Sequence, residues 1–278
     1  MSMIRTSGAM IYYEIRGSVG PPVVLIRGYG SSMHTWNGVD HDLARDHCTV
    51  VLDNRGSGQS SAPTGRYQVA EMARDVVAVM RHAGLNTAHV LGTSLGGMIA
   101  QELAIRFPNR VKSLVLVATT PGSHDGMPIT TRGMLLLAAA ALMPPHWRAR
   151  LAARATLSPP NRHKIGSECR TVALRRKRQT GSLAGLIGQA SAIFGHRAAN
   201  RLAQISVPTL VVHGTADELI DPRNGGCLAN LIPGARLEPW SGAGHDLATE
   251  DPCRLADCVR RHIREFHTIT EQAREPSL

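Results

Sequence analysis

Short runs of β-branched and leucine residues recur along this chain with helix-period segments between them, and that alternation restricts the fold more than any other feature. Met10 to Arg16, Val23 to Arg27, Cys48 to Leu52, His89 to Gly92 and Val111 to Ala118 read as strands. Between them, Trp36 to Asp46 is compatible with a helix, and Leu95 to Phe107 reads as another. Val69, Met72, Ala73, Val76, Met80 and Ala83 recur at helical spacing, with Gly84 placed as a C-terminal stop. Strands alternating with covering helices pair in parallel through right-handed crossovers, so the expected class is α/β with a mostly parallel sheet flanked by helices.

The rhythm stops after Thr120 and resumes at Thr209. Residues 121–205 hold helical-looking stretches broken by Pro144-Pro145, Pro159-Pro160 and several glycines, without a convincing strand. Thr209 to His213 and Arg236 to Pro239 then read as strands, and Leu247 to about His267 as a closing helix. The expected organisation is a core in two parts, residues 1–120 and 206–267, an all-helical insertion at 121–205, and a flexible tail at 268–278.

Charge divides at the same boundaries. The chain has 278 residues and a net charge of +10, yet residues 121–205 carry 13 Arg and Lys against Asp125 and Glu168 alone, a net +11 that leaves the rest near −1. So sharp a break marks the insertion as a unit with its own surface. Its basic residues have two readings. One is a solvated face, which is favoured because arginine-rich helices are often simply soluble. The other is a surface at Arg170, Arg175, Arg176, Lys177 and Arg178 that steers an acidic carrier protein, a coenzyme A thioester or an anionic substrate. Aromatic residues make up only 4% of the chain, which leaves few stacking platforms and argues against nucleic acid as the partner. Within the insertion, the apolar run Met134 to Met143 is expected to pack as its core, with one face lining an apolar acyl pocket. That run is too short to span a bilayer, and Met1 to Met10 contains no apolar stretch of signal-peptide length, so the expectation is a soluble, cytoplasmic protein. Cys48, Cys169, Cys227, Cys253 and Cys258 form no CxxC pair and suggest neither a disulfide framework nor a zinc site.

Gly92-Thr93-Ser94-Leu95-Gly96 matches G-x-S-x-G at the point where a strand passes directly into a helix. Glycines are needed there because the chain reverses too tightly for side chains on both flanks. The turn lifts the Ser94 hydroxyl above the sheet and points the first helical amides, Leu95 N–H among them, at the same space. A serine hydroxyl needs a base and a carboxylate to orient that base. His213-Gly214-Thr215-Ala216-Asp217 supplies a carboxylate after one strand, and Gly242-Ala243-Gly244-His245 a histidine after the next. Taken singly, Ser94 would pass for a helix N-cap and His245 for one of 13 histidines. The acid has competitors in Glu218 and Asp221, and Asp246 adjoins the histidine itself.

With these motifs in place, the chain resembles the α/β-hydrolase family from about Ile11 to Phe266. The resemblance rests on Asp53-Asn54-Arg55-Gly56-Ser57-Gly58-Gln59-Ser60, which looks like the family's D-x-R-G-x-G-x-S loop, together with Gly92 to Gly97, His213 to Asp217 and Gly242 to His245. It is nearest to the capped serine esterases, lactonases and carbon–carbon bond hydrolases, in which a helical lid follows the sixth strand. The resemblance implies a triad of Ser94, Asp217 and His245 acting on an ester or lactone, without metal or organic cofactor. Asp53, Arg55, Gly56, Gly58 and Ser60 read as structural, bracing a loop near the site. Arg27-Gly28-Tyr29-Gly30 aligns with the family's H-G-x-G loop, which assigns Tyr29 N–H and Leu95 N–H to an oxyanion hole. Arg27 departs from the family's histidine. It either anchors a substrate carboxylate or satisfies carbonyls beneath the loop, and the structural reading is favoured. Two other functions fit the same pattern: a lyase, cyclase or carbon–carbon bond hydrolase using the triad, and a binding module with little turnover.

Overall fold

The computed structural model describes residues 2–122, 129–131, 133, 135, 143, 151, 154–162 and 182–272. Eight strands form one sheet: β1 (Ser2–Arg5), β2 (Met10–Arg16), β3 (Pro22–Ile26), β4 (Cys48–Leu52), β5 (Ala88–Thr93), β6 (Val111–Val117), β7 (Thr209–Gly214) and β8 (Arg236–Trp240). Their order is β1-β2-β4-β3-β5-β6-β7-β8, antiparallel at β1 and β2 and parallel from β4 onward. The antiparallel β1 is the one strand the sequence reading lacked.

The central strands are apolar at consecutive positions because both faces of the sheet are covered. Val24, Ile26, Val50 and Leu52 pack into one core with helices α2 (Val69–His82) and α3 (Leu95–Arg106). Val23, Leu25 and Val51 point the other way, into a core shared with Trp36, α1 (Val39–Leu43) and the closing helix. Helix α2 ends as its sequence promises: Gly84 has φ 73°, its N–H donates to Arg81 O at 3.0 Å and Leu85 N–H to Met80 O at 2.8 Å, a Schellman motif.

Three expected elements differ in detail. The helix expected from Trp36 is divided, because Asn37 (φ 52°) and Gly38 (φ 97°) are left-handed and separate a 3-10 turn at Met33–Trp36 from α1. In the region 121–205 the described residues include helix α4 (Leu183–Gly195), 3-10 turns at Pro159–Asn161 and Ala199–Gln204, and a single β-bridge between Ile129 and Ile220. Arg170, Arg175, Arg176, Lys177 and Arg178 lie outside the described residues, as does the Met134 to Met143 run apart from Leu135 and Met143. Helix α5 (Arg223–Leu231) follows β7, and the closing helix is two pieces, α6 (Leu247–Glu250) and α7 (Pro252–Gln272). Pro252 sets that break, since proline is tolerated in the first turn of a helix but not in its interior. The residues expected to begin a tail, from 268, are thus the last turn of α7. Among the described residues, no helix is long and apolar enough to cross a membrane.

Parallel pairing places the loops after β3, β5, β7 and β8 on one edge of the sheet, where open α/β sheets hold their ligands.

Candidate active site

Ser94 occupies the junction of β5 and α3 with φ 55° and ψ −120°, a conformation that L-residues rarely adopt. Holding a non-glycine residue there costs about 1–3 kcal/mol and persists only where surrounding bonds over-determine it. They do: Ser94 N–H donates to Val117 O at 2.9 Å, and Ser94 O accepts from Gly97 N–H at 2.9 Å and from Thr119 Oγ1 at 2.8 Å. Gly96 is required because a β-carbon there would run into the backbone carbonyls of Ile26 and Arg27. Leu95 is the first residue of α3, so its amide is one of those a helix leaves without an intrahelical acceptor. Gly28 lies against the serine, close enough that a β-carbon on it would sit 3.0 Å from Ser94 Cβ and 3.5 Å from Oγ. The loop after β3 and the serine turn therefore share one space.

Asp217 follows β7 and His245 follows β8, and the two loops are tied together by Ala216 N–H to Ala243 O at 2.9 Å and Gly242 N–H to Thr215 Oγ1 at 2.9 Å. His245 Nδ1 lies 2.8 Å from Asp217 Oδ2. A carboxylate accepts only, so Nδ1 carries the proton and Nε2 is left as the basic nitrogen. The other oxygen of Asp217 accepts from Leu219 N–H at 2.8 Å and Ile220 N–H at 2.9 Å. His213 Nε2 lies 3.2 Å from both Asp217 Oδ2 and Ile220 O, which fixes its proton on that nitrogen. Burial would push the Asp217 carboxyl up, but the charges and hydrogen bonds of His245 and His213 outweigh it and hold the group well below the usual carboxylate range. For His245, burial acts to lower the pKa. Asp217 and Asp246 more than reverse this, Arg27 pulls the other way, and the net shift is upward.

Arg27 is 5% exposed and its guanidinium is committed. Nε donates to Thr35 Oγ1 at 2.9 Å, NH2 lies 3.2 Å from Asp246 Oδ1, and the group stacks 5.0 Å from the Trp36 ring centroid. Its partners are a hydroxyl and a carboxylate rather than the carbonyls expected beneath the loop. This pair also ties the end of β3 to the histidine loop, so Ser94, Gly28, Arg27, Asp246, His245 and Asp217 form one connected arc.

The family model of the alpha/beta hydrolase fold matches residues 21–252. The chain belongs to the α/β-hydrolase family. The chain is 31% identical over 256 residues to a protein of Azorhizobium caulinodans that carries the provisional name carbamate hydrolase RutD, covering 88% of this chain and 91% of that one. Among solved structures it is similar to Est816, described as an N-acyl homoserine lactone degrading enzyme, with 26% identity, a TM-score of 0.79 and coverage of 93% and 99%. The esterase RhEst1 from Rhodococcus sp. ECU1013 gives 26% identity, a TM-score of 0.79 and coverage of 95% and 98%.

Within this α/β-hydrolase, the Asp53 to Ser60 motif is an internal brace. Arg55 Nε and NH2 bind the two oxygens of Asp75 at 2.7 and 2.9 Å, and Asp53 accepts Met33 N–H at 2.7 Å and Gln59 N–H at 2.8 Å. The sequence reading missed the residues that reach the site from the region 121–205. Thr156 O accepts both His245 N–H at 2.7 Å and Asp246 N–H at 2.9 Å. Glu250, buried, accepts Gly244 N–H at 3.1 Å, Ser158 Oγ at 3.0 Å and Asn161 Nδ2 at 3.0 Å. Arg162 pairs with Glu218, next to Asp217, at 3.0 Å. Gln189 binds the loop after β3. None of these carries a motif.

Proposed function

We propose that this α/β-hydrolase is a serine esterase that cleaves a carboxylic ester or lactone through an acyl-enzyme on Ser94. The observation that carries the reading is the His245 and Asp217 pair, 2.8 Å apart and tied through Arg27 and Gly28 to a serine in the strained turn between β5 and α3. In this reading Ser94 Oγ attacks the carbonyl carbon while His245 Nε2 takes its proton, and the carbonyl oxygen gains the negative charge. The backbone N–H groups of Tyr29 and Leu95 stabilise that oxyanion. Collapse of the adduct expels the alcohol, protonated by His245. Water then adds to the acyl-enzyme with His245 again as base, and the acid leaves. Asp217 holds the imidazole with Nδ1 protonated and stabilises the imidazolium.

The kinship with Est816 and RhEst1 supports an ester or lactone as the substrate class, and residues 121–205 serve as the lid over it. Arg27 takes no part in holding substrate, because Asp246 and Thr35 occupy its donors. Ser94→Ala is expected to lower kcat on the order of 10⁴-fold or more on whichever p-nitrophenyl ester or lactone is turned over best. Mass spectrometry of the wild-type protein during turnover is expected to show the acyl group on Ser94. Turnover unchanged by the substitution would overturn the proposal, and turnover without an acylated intermediate would replace it with a lyase or cyclase that uses the same residues.

A further inference from the structure

Gln189 is fully buried on α4, in the region inserted between β6 and β7, yet it makes no bond to its own helix neighbours through its side chain. Its Oε1 accepts Gly30 N–H at 2.8 Å. Its Nε2 donates to Arg55 O at 2.8 Å and Ser57 Oγ at 2.8 Å. One amide thus bridges the loop after β3 to the loop after β4, using its acceptor on the first and its donors on the second. The approach of α4 is close on both sides. A β-carbon on Gly30 (φ 62°) would lie 3.0 Å from Leu186 Cδ2, and one on Gly185 would lie 2.6 Å from Gly56 Cα.

We infer that Gln189 is a positioning residue for the oxyanion hole, holding the peptide after Tyr29 so that the Tyr29 N–H keeps its aim at the carbonyl oxygen of the substrate. This rests on the serine-hydrolase reading above. The physical ground is that an oxyanion donor contributes most when its direction is set before the charge develops, and a short glycine-flanked loop does not hold its own direction. Gly28 and Gly30 leave that loop free to turn, and Gln189 removes the freedom at the amide that follows Tyr29. The side chain suits the task because it is neutral. A carboxylate there would accept from Gly30 equally well but would set a negative charge beside a developing oxyanion and would present no N–H to Arg55 O. The hole is therefore complete only while α4 is docked, which couples the catalytic geometry of the core to the inserted region.

The test compares Gln189→Leu, Gln189→Glu and Ser191→Ala. Ser191 lies on the same helix and its Oγ accepts Tyr67 N–H at 2.9 Å, so its substitution removes one contact of α4 with the core while Gln189 keeps the helix docked on the loop after β3. The measurements are kcat and KM on the best ester, and inhibition by a trifluoromethyl ketone and by the product carboxylate. The ketone forms a hemiketal: Ser94 Oγ bonds to the carbonyl carbon, its proton passes to His245 and the ketone oxygen becomes the oxyanion. For both Gln189 variants kcat is expected to fall roughly 10- to 100-fold, part of the loss seen when a whole oxyanion donor is removed. KM and product inhibition should change less than about twofold, while ketone affinity falls in step with kcat. Ser191→Ala should keep wild-type kcat. Circular dichroism and a cooperative urea transition establish that each variant is folded, and Gln189→Glu, nearly isosteric, serves if Gln189→Leu is not. A wild-type kcat in a folded Gln189 variant, or equal losses of ketone and product affinity, would overturn the inference. A Ser94→Ala protein that retains activity would instead overturn the serine-hydrolase reading, so the two failures are distinct.

Discussion

The two sides of Ser94 are braced by opposite kinds of chemistry. On the histidine side the partners are charged: Asp217, Asp246 and Arg27 surround His245, with His213 added on Asp217. On the side where the proposed reaction places the oxyanion the partners are neutral: backbone amides of the loop after β3, the amide of Gln189 and the start of α3. The difference follows from what each side does in the proposed reaction. A base works through its proton affinity, which fields from nearby charges set directly. An oxyanion hole works through dipoles already aimed at a charge not yet present, and a fixed charge nearby would bias it in the ground state as well as the transition state. In the proposed reaction charge tunes one side, and direction alone matters on the other.

The sharpest way to break this contrast is to remove the charge while keeping the shape. Asp217→Asn is expected to lower kcat about 10³- to 10⁴-fold with KM little changed, since an amide at Oδ2 no longer enforces protonation of His245 Nδ1. Steady-state kinetics on the best ester checks it. A loss smaller than tenfold would mean that the histidine side, like the other, needs orientation and not charge.

Next in size is the outer brace of the histidine loop. Glu250→Ala would strip the acceptor from Gly244 N–H, Ser158 Oγ and Asn161 Nδ2 in a buried setting. Leaving such groups unmet is expected to cost on the order of 2–4 kcal/mol, read from urea unfolding as a lower midpoint with the same slope. Glu250→Gln keeps one acceptor oxygen and should cost less. If both variants unfold like the wild type, Glu250 does not hold residues 154–162 to the histidine loop.

These braces explain which parts of the molecule were legible in the sequence. The parallel strands were, because burial on both faces leaves continuous apolar runs such as Val23 to Ile26 and Leu114 to Val117. So was the turn at Ser94, whose crowding demands glycine at Gly92 and Gly96 whatever the rest of the chain does. Strand β1 was not, since four edge residues with one buried side chain leave too short a pattern to read. Helix α5 was missed because Gly225 and Gly226 sit in its first turn and mask its period. Gln189 was invisible for a different reason. It lies 159 residues from Gly30 in sequence, and a polar residue inside an apolar helix shows its role only when the loops it bridges are in place. Arg27 stands out in the sequence as a departure from the family's histidine, but nothing in the sequence pairs it with Asp246, 219 residues away.

That pair gives the finest test of the contrast, because it separates the charge on the histidine side from the shape. Arg27 and Asp246 act on His245 with opposite signs, Asp246 raising its pKa and Arg27 lowering it, beside the larger effect of Asp217. In the proposed reaction His245 must be neutral to act as base, so activity is expected to fall as pH drops through its pKa, giving the acid limb of kcat/KM. Arg27→Met removes a positive charge and leaves Asp246 uncompensated, which favours the imidazolium and moves that limb to higher pH. Asp246→Asn leaves Arg27 uncompensated and moves it to lower pH. The double variant restores the charge balance and should return the limb close to its wild-type position, with modest change in the plateau because neither residue touches substrate in the proposed reaction. A merely structural role for the pair predicts the reverse pattern: lowered plateaus in all three variants, limbs in place and no restoration in the double. Neutral substitutions on the oxyanion side, Gln189→Leu among them, carry no charge change and should lower the plateau while leaving the limb where it is. If they move the limb as Arg27→Met does, the division of labour between the two sides does not hold.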